Sequence, residues 1–533
     1  MTTNAPLDVL VIGAGFAGLY AAHQAVEHGH TVLGLEAGDG PGGTWYWNRY
    51  PGARCDVESL DYSYSFDPEL QEEWRWSERY ATQPEILAYV EHVADRYGLR
   101  DRFRFEQRVV AATFDEERVL WTVRTESGEE HVARWLICAT GSLSAVNRPN
   151  IPGLDDFEGD LLMTSQWPRE GYDLTGKRVG IIGTGSSGVQ SVPLLARDAA
   201  SLTVFQRSPN YSVPAFNRPL TEEEQAEARR TYPQRRAASF ASGGGSPYLA
   251  WPREFADIDE AERTEAFEDR WRAGGVLFGK TFSNQYVDAE VNDAAREFAV
   301  AKIRSVIEDP EVAENLIPTD HPIGTKRICT DSGYFETFNR DNVELVNLRR
   351  DPIETITSWG VKTEQGAYEL DVLVLATGFD AMTGAMTRMD IRGPRGDVMA
   401  ETWSEGPLTH LGLSVPGFPN LFTLNGPGSA SVLANMVLTA EHQVDWVYDL
   451  IQHCEEEGFT TVEARADAAR AWTEHIDETA RGTLFYQANS WYLGSNIEGK
   501  KRTFMPFIGG FATYIERCEQ AKELGYAGFV LGS

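Results

Sequence analysis

A chain of 533 residues exceeds what one hydrophobic core ordinarily organises, so roughly two to four structural units are expected. Its hydrophobic share of 42% with 11% aromatics is that of a globular protein, and a net charge of −32 repels phosphate backbones and anionic lipid, which excludes nucleic acid and membrane surfaces as partners. The five cysteines form no C-x-x-C pair and no metal-ligand spacing, so they read as free thiols in a reducing cytoplasm with no metal site. The N-terminus lacks a basic n-region and a cleavage site, and the apolar run Val9 to Ala22 is too short to span a bilayer, which also predicts a cytoplasmic protein.

The first element is "LDVLVIGAGFAGLYAAHQAVEHGHTVLGLEAG". An apolar strand ends at Ile12, Gly13, Gly15 and Gly18 open a helix, and a second strand ends at Glu36. This is G-x-G-x-x-G in its strand-turn-helix setting, with an acidic residue eighteen positions after the last glycine. Gly13 permits the tight turn, Gly15 lets the backbone approach a pyrophosphate, and Gly18 lets helix and strand pack closely. Glu36 accepts hydrogen bonds from the ribose hydroxyls of an adenosine.

A short apolar strand then ends in "ATGSLS" (Thr140, Gly141). Next comes a second fingerprint, "GKRVGIIGTGSSGVQSVPLLARDAASLTVFQRS", with Gly183, Gly185 and Gly188 in the same arrangement. Its second strand ends in Gln206, Arg207 and Ser208, without a carboxylate. A cation and a hydroxyl there suit a 2′-phosphate, which Glu36 repels in the first unit. The inference is FAD at the first unit and NADPH at the second. From spacing alone, Arg207 reads equally well as a solvated arginine at a strand end. Residues 219–318 are different in kind. "LTEEEQAEARRTYPQRR" is charged and helical in composition, "ASGGGSP" is a flexible loop, and Ala295, Ala299, Ile303 and Val306 have helical spacing. After this helical insertion a second strand ends in near-identical text, "ATGFD" (Thr377, Gly378, Asp380). Two such copies, each about a domain-length after a fingerprint, mark where the chain passes between nucleotide domains.

The fold class read from this order is α/β, with two Rossmann-like dinucleotide-binding domains and a helical insertion in the second. The expected division is 1–145 and 381–533 for the FAD domain, 146–218 and 319–380 for the NADPH domain, and 219–318 for the insertion.

Several longer stretches carry a family resemblance: "GGTWYWNRYPGARCDVES", "GTGSSGVQ", "VFQRSPNYSVPA", "GTKRICTDSGYFETFNRDNVELV", "ATGFDAMTG", "NGPGSASVLANM" and "NSWYLGSNIEGK". On these the chain resembles, nearly end to end, the single-component flavin-dependent Baeyer-Villiger monooxygenases, and looks closest to the phenylacetone and steroid monooxygenase branch. The resemblance implies oxidation of a ketone to an ester or lactone by one oxygen atom of O₂, with NADPH reducing FAD and a C4a-peroxyflavin attacking the carbonyl. Aryl, cyclic or steroid-like ketones are the implied substrates, and a monomer or weak homo-oligomer is expected. Arg327, in "GTKRICT", falls on the catalytic arginine that stabilises the peroxyflavin and the anionic adduct, and Asp56 falls on the carboxylate that orients it. The FAD set is Gly13, Gly15, Phe16, Gly18, Glu36, Gly43, Thr44, Trp45, Asp56 and Tyr62. The NADPH set is Gly183, Thr184, Gly185, Ser186, Ser187, Gly188, Arg207, Ser208, Lys326, Arg327 and Trp491. Leu143, Ser431, Val432, Met436 and Trp491 fall on the substrate pocket. Plain core packing is nearly as good a reading of Leu143, Ser431, Val432 and Met436 taken singly.

Two other readings remain: a flavin monooxygenase acting on a nitrogen or sulfur nucleophile, and a poorly coupled NADPH oxidase or dinucleotide-binding flavoprotein. The second is motivated by "FEGDLLMTSQWP", where the family signature F-x-G-x-x-x-H-x-x-x-W has its histidine replaced by Met163. Methionine cannot donate a hydrogen bond, so a looser link between the two domains and weaker coupling are expected.

Overall fold

The computed structural model describes residues 5–533. Two sheets organise it, the first mixed, with Leu120–Thr125 antiparallel to both its neighbours, and the second parallel throughout. The first holds eight strands in the order Asp390–Arg392, Val109–Asp115, Leu120–Thr125, Glu130–Cys138, Leu7–Ile12, Val32–Leu35 and Phe103–Arg104, with Leu421–Thr423 also pairing the Glu130–Cys138 strand. The second holds five, in the order Val343–Asn347, Ser201–Gln206, Arg178–Ile182, Val372–Leu375 and Asp160–Met163. Their central strands are apolar on both faces because both are covered: Val9, Leu10 and Val11, like Val179, Ile181 and Val204, are fully buried.

Helices Phe16–Glu27 and Ser186–Asp198 follow the two fingerprints, each starting after the middle glycine of its motif. The two Ala-Thr-Gly strands leave the two sheets side by side. Ala139 N–H donates to Ile12 O and Ala376 N–H to Ile182 O at 3.0 and 2.9 Å, and past them the chain segments pair: Asn147 N–H donates to Gly378 O at 3.1 Å and Asp380 N–H to Ala145 O at 2.8 Å. The units are therefore joined by two hydrogen-bonded crossings.

"FEGDLLMTSQWP" is not a link. Asp160–Met163 is the edge strand of the second sheet, with Met163 in register with Leu375. The Met163 side chain packs against the apolar cluster of Leu154, Ile182, Phe205 and Leu375, so it acts through packing of that strand and not at a joint between units.

The charged helix Glu222–Phe240 opens with a capping box at Thr221 and Glu224. It docks on the first unit, not the second: Arg236 is 5% exposed and donates to Asp61 O, Ser63 Oγ and Gln71 Oε1, while Arg235 forks onto Asp61. Helices Glu260–Ala273 and Ala289–Val306 instead share the second unit's core through Phe267, Ala295, Ala299 and Ile303. Residues 219–318 thus clamp both units.

The longest helix, Met436–Glu457, turns Glu441 inward, 3% exposed. Its carboxyl accepts from Ser65 N–H and Oγ at 2.6 Å each and from Phe66 N–H at 3.1 Å, yet burial pushes it up from 4.5 to about 7. The folded state therefore keeps a proton that the unfolded chain releases, and stability is lost as pH rises from about 4.5 through about 7. The neutral amide introduced by Glu441→Gln keeps an acceptor for the two backbone N–H groups and turns a donor to the serine hydroxyl. The melting temperature of this variant is expected to match wild type near pH 4.5, rise above it progressively to pH 7, and hold a constant lead beyond; parallel curves measured by scanning calorimetry would contradict this.

All five cysteines are buried and free, and no helix is long and apolar enough to cross a membrane among the described residues.

Candidate active site

The two fingerprints have the same backbone geometry. At Gly13 (φ +103°) a Cβ would sit 2.5 Å from Ala139 O, and at Gly183 (φ +115°) one would sit 2.4 Å from Ala376 O. In both units the first glycine thus turns against the Ala-Thr-Gly strand, which explains why the two motifs occur together. The third glycines, Gly18 and Gly188, press on the carbonyls of Gly13 and Gly183, where a Cβ would fall at 1.8 and 2.2 Å. The middle glycines have other surroundings: Gly185 has nothing within 4 Å of a built Cβ, and Gly15 meets only the backbone of Gly43. Each leaves open backbone at a helix N-terminus, whose first-turn amides have no partner within the helix.

In the first unit Glu36 is 5% exposed and accepts from Ala14 N–H at 2.8 Å and Gly38 N–H at 2.7 Å, which fixes its carboxylate at the strand end with lone pairs to spare. Gly43 and Thr44 start a short helix beside Gly15. Trp45 Nε1–H donates to Tyr62 OH at 3.2 Å, and the Tyr62 ring meets Phe16 edge-on at 5.4 Å. Phe16, Trp45 and Tyr62 therefore form one connected wall.

In the second unit the Thr184 hydroxyl donates to Ser208 O at 2.9 Å, Ser186 Oγ lies 3.5 Å from Cys329 Sγ, and Ser187 is in the helix's first turn. Arg207 is exposed at the end of the strand Ser201–Gln206. Ser208 Oγ accepts from Arg349 at 2.8 Å, and Arg349 also pairs with Asp320, which lies 3.7 Å from Lys326 Nζ. Burial pulls the Lys326 ammonium below its ordinary pKa, against the pull of Asp320. His321, hydrogen-bonding at 2.6 Å, and then Lys326 and Arg349 hold the Asp320 carboxyl below the usual range in spite of burial. Arg349 and Asp320 escaped sequence reading. Arg349 follows the strand Val343–Asn347, which neighbours Ser201–Gln206 in the sheet, so the strand order is the signal that finds it.

Between the units lies Arg327. Its guanidinium forks onto Asp56, Nε to Oδ2 at 2.5 Å and Nη2 to Oδ1 at 2.8 Å, and Nη1 donates to Val432 O at 2.9 Å. The side chains keep 29% and 20% exposure deep in the fold, so they face an internal cleft. Burial opposes both charges, but the pair overcomes it: the carboxyl stays below its ordinary pKa and the guanidinium well above. The Tyr492 phenol, 2% exposed and next to the predicted Trp491, lies in the field of this cation, while the Trp491 ring packs 4.2 Å from that of Tyr492. Of the predicted pocket residues, Val432 supplies the carbonyl, and Leu143 and Met436 are half-buried. Ser431 is fully buried, with its hydroxyl committed to Asn425 O at 2.8 Å. No group of three or more potential metal ligands occurs among the described residues.

Open backbone at Gly15 and Gly185, a carboxylate ending one second strand and cations ending the other fit two different dinucleotides, whose reacting ends meet near a fixed cation. A buried guanidinium with orienting partners stabilises negative charge that develops on oxygen.

A family model described as "Pyridine nucleotide-disulphide oxidoreductase" matches residues 7–231. The chain is 44% identical to a Baeyer-Villiger monooxygenase of Pseudooceanicola batsensis, over 99% of this chain and 97% of that protein. It is 41% identical to the phenazine N-monooxygenase PhzNO1 of Lysobacter antibioticus, over 99% and 97%. The solved structure of an oxidized steroid monooxygenase bound to NADP superposes with a TM-score of 0.95 at 54% identity, covering 99% of this chain and all of that one, 100%.

Proposed function

Because the chain belongs to the Baeyer-Villiger monooxygenases, flavoenzymes that use FAD and NADP, we propose that it converts aryl, cyclic or steroid-like ketones to esters or lactones, with Arg327 as the residue that stabilises the reacting oxygen. The observation that carries this is the Arg327–Asp56 fork, tied to Val432 O and set in a cleft between the two nucleotide units. When bound and reduced by NADPH, a flavin would supply the chemistry that puts one oxygen atom of O₂ beside the carbonyl, with the other leaving as water.

The chain's own residues do the rest. Gly13, Gly15, Gly18, Phe16, Gly43, Thr44, Trp45 and Tyr62 bind the flavin dinucleotide, and Glu36 holds its adenosine ribose. Gly183 to Gly188 hold the NADPH pyrophosphate, and Lys326, Arg207, Ser208 and Arg349 hold its 2′-phosphate. Asp56 fixes the guanidinium plane, so that the negative charge arising on oxygen meets donors already in place. Trp491 covers the nicotinamide side, and Leu143, Val432 and Met436 exclude water from the ketone. The domain division follows the two sheets: 1–145 with 381–533, and 146–218 with 319–380, clamped by 219–318. A cytoplasmic monomer or weak homo-oligomer is the working form.

A second reading, oxygenation of a nitrogen or sulfur atom, is favoured by the likeness to a phenazine N-monooxygenase. The oriented Arg327 weighs against it, since attack by nitrogen or sulfur leaves no anionic carbonyl adduct to stabilise. The test is to mix FAD-loaded protein with NADPH and with phenylacetone, cyclohexanone, progesterone or phenazine, and to measure NADPH loss, peroxide and product. One ester or lactone per NADPH is expected with a ketone. N-oxide alone would establish the second reading, and peroxide equal to NADPH consumed would refute both.

A further inference from the structure

Beside the Arg327 cleft lies a separate cavity of about 190 Å³, lined by Tyr248, Leu249, Arg270, Lys280, Phe282 and Tyr286 among others. Its walls are mostly apolar and aromatic, yet they carry two cations and no carboxylate in a chain with 80 acidic against 48 basic residues. The nearby acids are already partnered: Glu58 takes Arg79 and Arg235 and acts on the Tyr248 phenol of the cavity wall, and Glu254 accepts from Ser283 Oγ, also of the wall, at 3.3 Å. Among the described residues Lys280 Nζ has no carboxylate oxygen within 4.0 Å. The surrounding protein, and then the charge of Arg327, lower its pKa, so Lys280 and Arg327 lie within each other's field although Lys280 is exposed. Arg270 spends one nitrogen on Leu249 O, while its buried Nε has no partner.

The cavity adjoins the cleft. A Cβ at Gly279 would sit 3.0 Å from Ile328 Cδ1, next in the chain to Arg327, and one at Gly244 would sit 2.6 Å from Lys280 Nζ. Gly244 O in turn accepts from Asn435 N–H at 3.0 Å, beside Met436. One wall therefore runs from Lys280 through Gly244 to the residues around the Arg327 cleft. Lys280 is exposed and forms no ion pair among the described residues, and the buried Arg270 Nε has no partner, so a carboxylate entering with an apolar body meets both cations and the aromatic walls.

We propose that this cavity is a carboxylate subsite: ketones bearing an acid group remote from the carbonyl seat that group on Lys280 and Arg270 and present the carbonyl toward Arg327. The proposal rests on the ketone-oxidising reading above and narrows it to keto acids.

The test uses full-length, FAD-loaded protein at saturating NADPH, with 4-carboxyphenylacetone and its methyl ester as matched ketones. Wild type is expected to prefer the acid by about tenfold or more in kcat/KM, mainly through KM, and Lys280→Met to erase that preference while Lys280→Arg retains it. Phenylacetate, which has no ketone, is expected to bind wild type in calorimetry and to weaken about tenfold in Lys280→Met. This arm reads the subsite even if neither ketone is oxidised, an outcome that would sink the reaction and not the subsite. Should Lys280→Met fail to load FAD, Lys280→Gln and Arg270→Gln are read in the same way. An unchanged acid-to-ester ratio together with unchanged phenylacetate affinity would overturn the proposal. A rise confined to the NADPH KM would also overturn it, by assigning the cation to the cofactor.

Discussion

Replacing Arg327 with alanine is expected to lower ester formation by about 10³-fold or more, while NADPH is still consumed and peroxide accumulates. The guanidinium satisfies Asp56 with two nitrogens and Val432 O with a third, so its plane is fixed before charge develops. Lysine keeps the charge but offers one ammonium where three directed donors stood, and Arg327→Lys is expected to recover at most about a tenth of the activity. Alanine also leaves Asp56 as an unpaired carboxylate in the fold, and breaking such a pair costs about 3–5 kcal/mol when it is fully buried, less here because both side chains keep some exposure. Asp56→Asn in the alanine background removes that charge and is expected to restore melting temperature without restoring ester. Recovery of ester in the double variant would show that the arginine served only to neutralise Asp56.

Lys326→Ala is expected to raise the NADPH KM by about 10- to 100-fold, to change kcat far less, and to narrow the preference over NADH. The lysine stands within 3.7 Å of Asp320, whose carboxylate also holds Arg349 against Ser208. That carboxylate gathers the cations, but it also repels a phosphate approaching them. Asp320→Asn is therefore expected to act in the opposite sense, lowering the NADPH KM with little effect on that for NADH. Equal shifts for the two nucleotides would place the cluster outside the 2′-phosphate site.

The parts legible in the sequence are those where backbone geometry admits one residue type. Gly13, Gly18, Gly183 and Gly188 stand where any side chain would strike a carbonyl, and the paired Ala-Thr-Gly strands sit against them, so the motifs announce both nucleotide units. Glu36 was readable from its position at a strand end, Arg207 read there equally well as a phosphate ligand or a solvated arginine, and Arg327 and Asp56 were readable only through the family resemblance, because 271 residues separate the two partners of that fork. Arg349 and Lys280 were not readable, since what places them is strand order or the docking of the helical segment. Met163 was misread for a related reason. The strand Asp160–Met163 is paired only along Val372–Leu375, some two hundred residues later, and no local pattern announces such a partner. A stretch that looks like a connection between two motifs is an edge strand when its partner arrives late in the chain.

The free cysteines have a meaning for an enzyme that handles activated oxygen. Cys55 adjoins Asp56, and Cys329 lies two residues past Arg327, so two thiols stand beside the place where any leaked peroxide is born. Thiolates react with peroxide, whereas protonated thiols are nearly inert. Burial raises both groups, Cys329 to about 11 and Cys55 further, so at neutral pH each keeps its proton. The same burial that packs these two residues therefore keeps their thiols slow to react with peroxide released beside them.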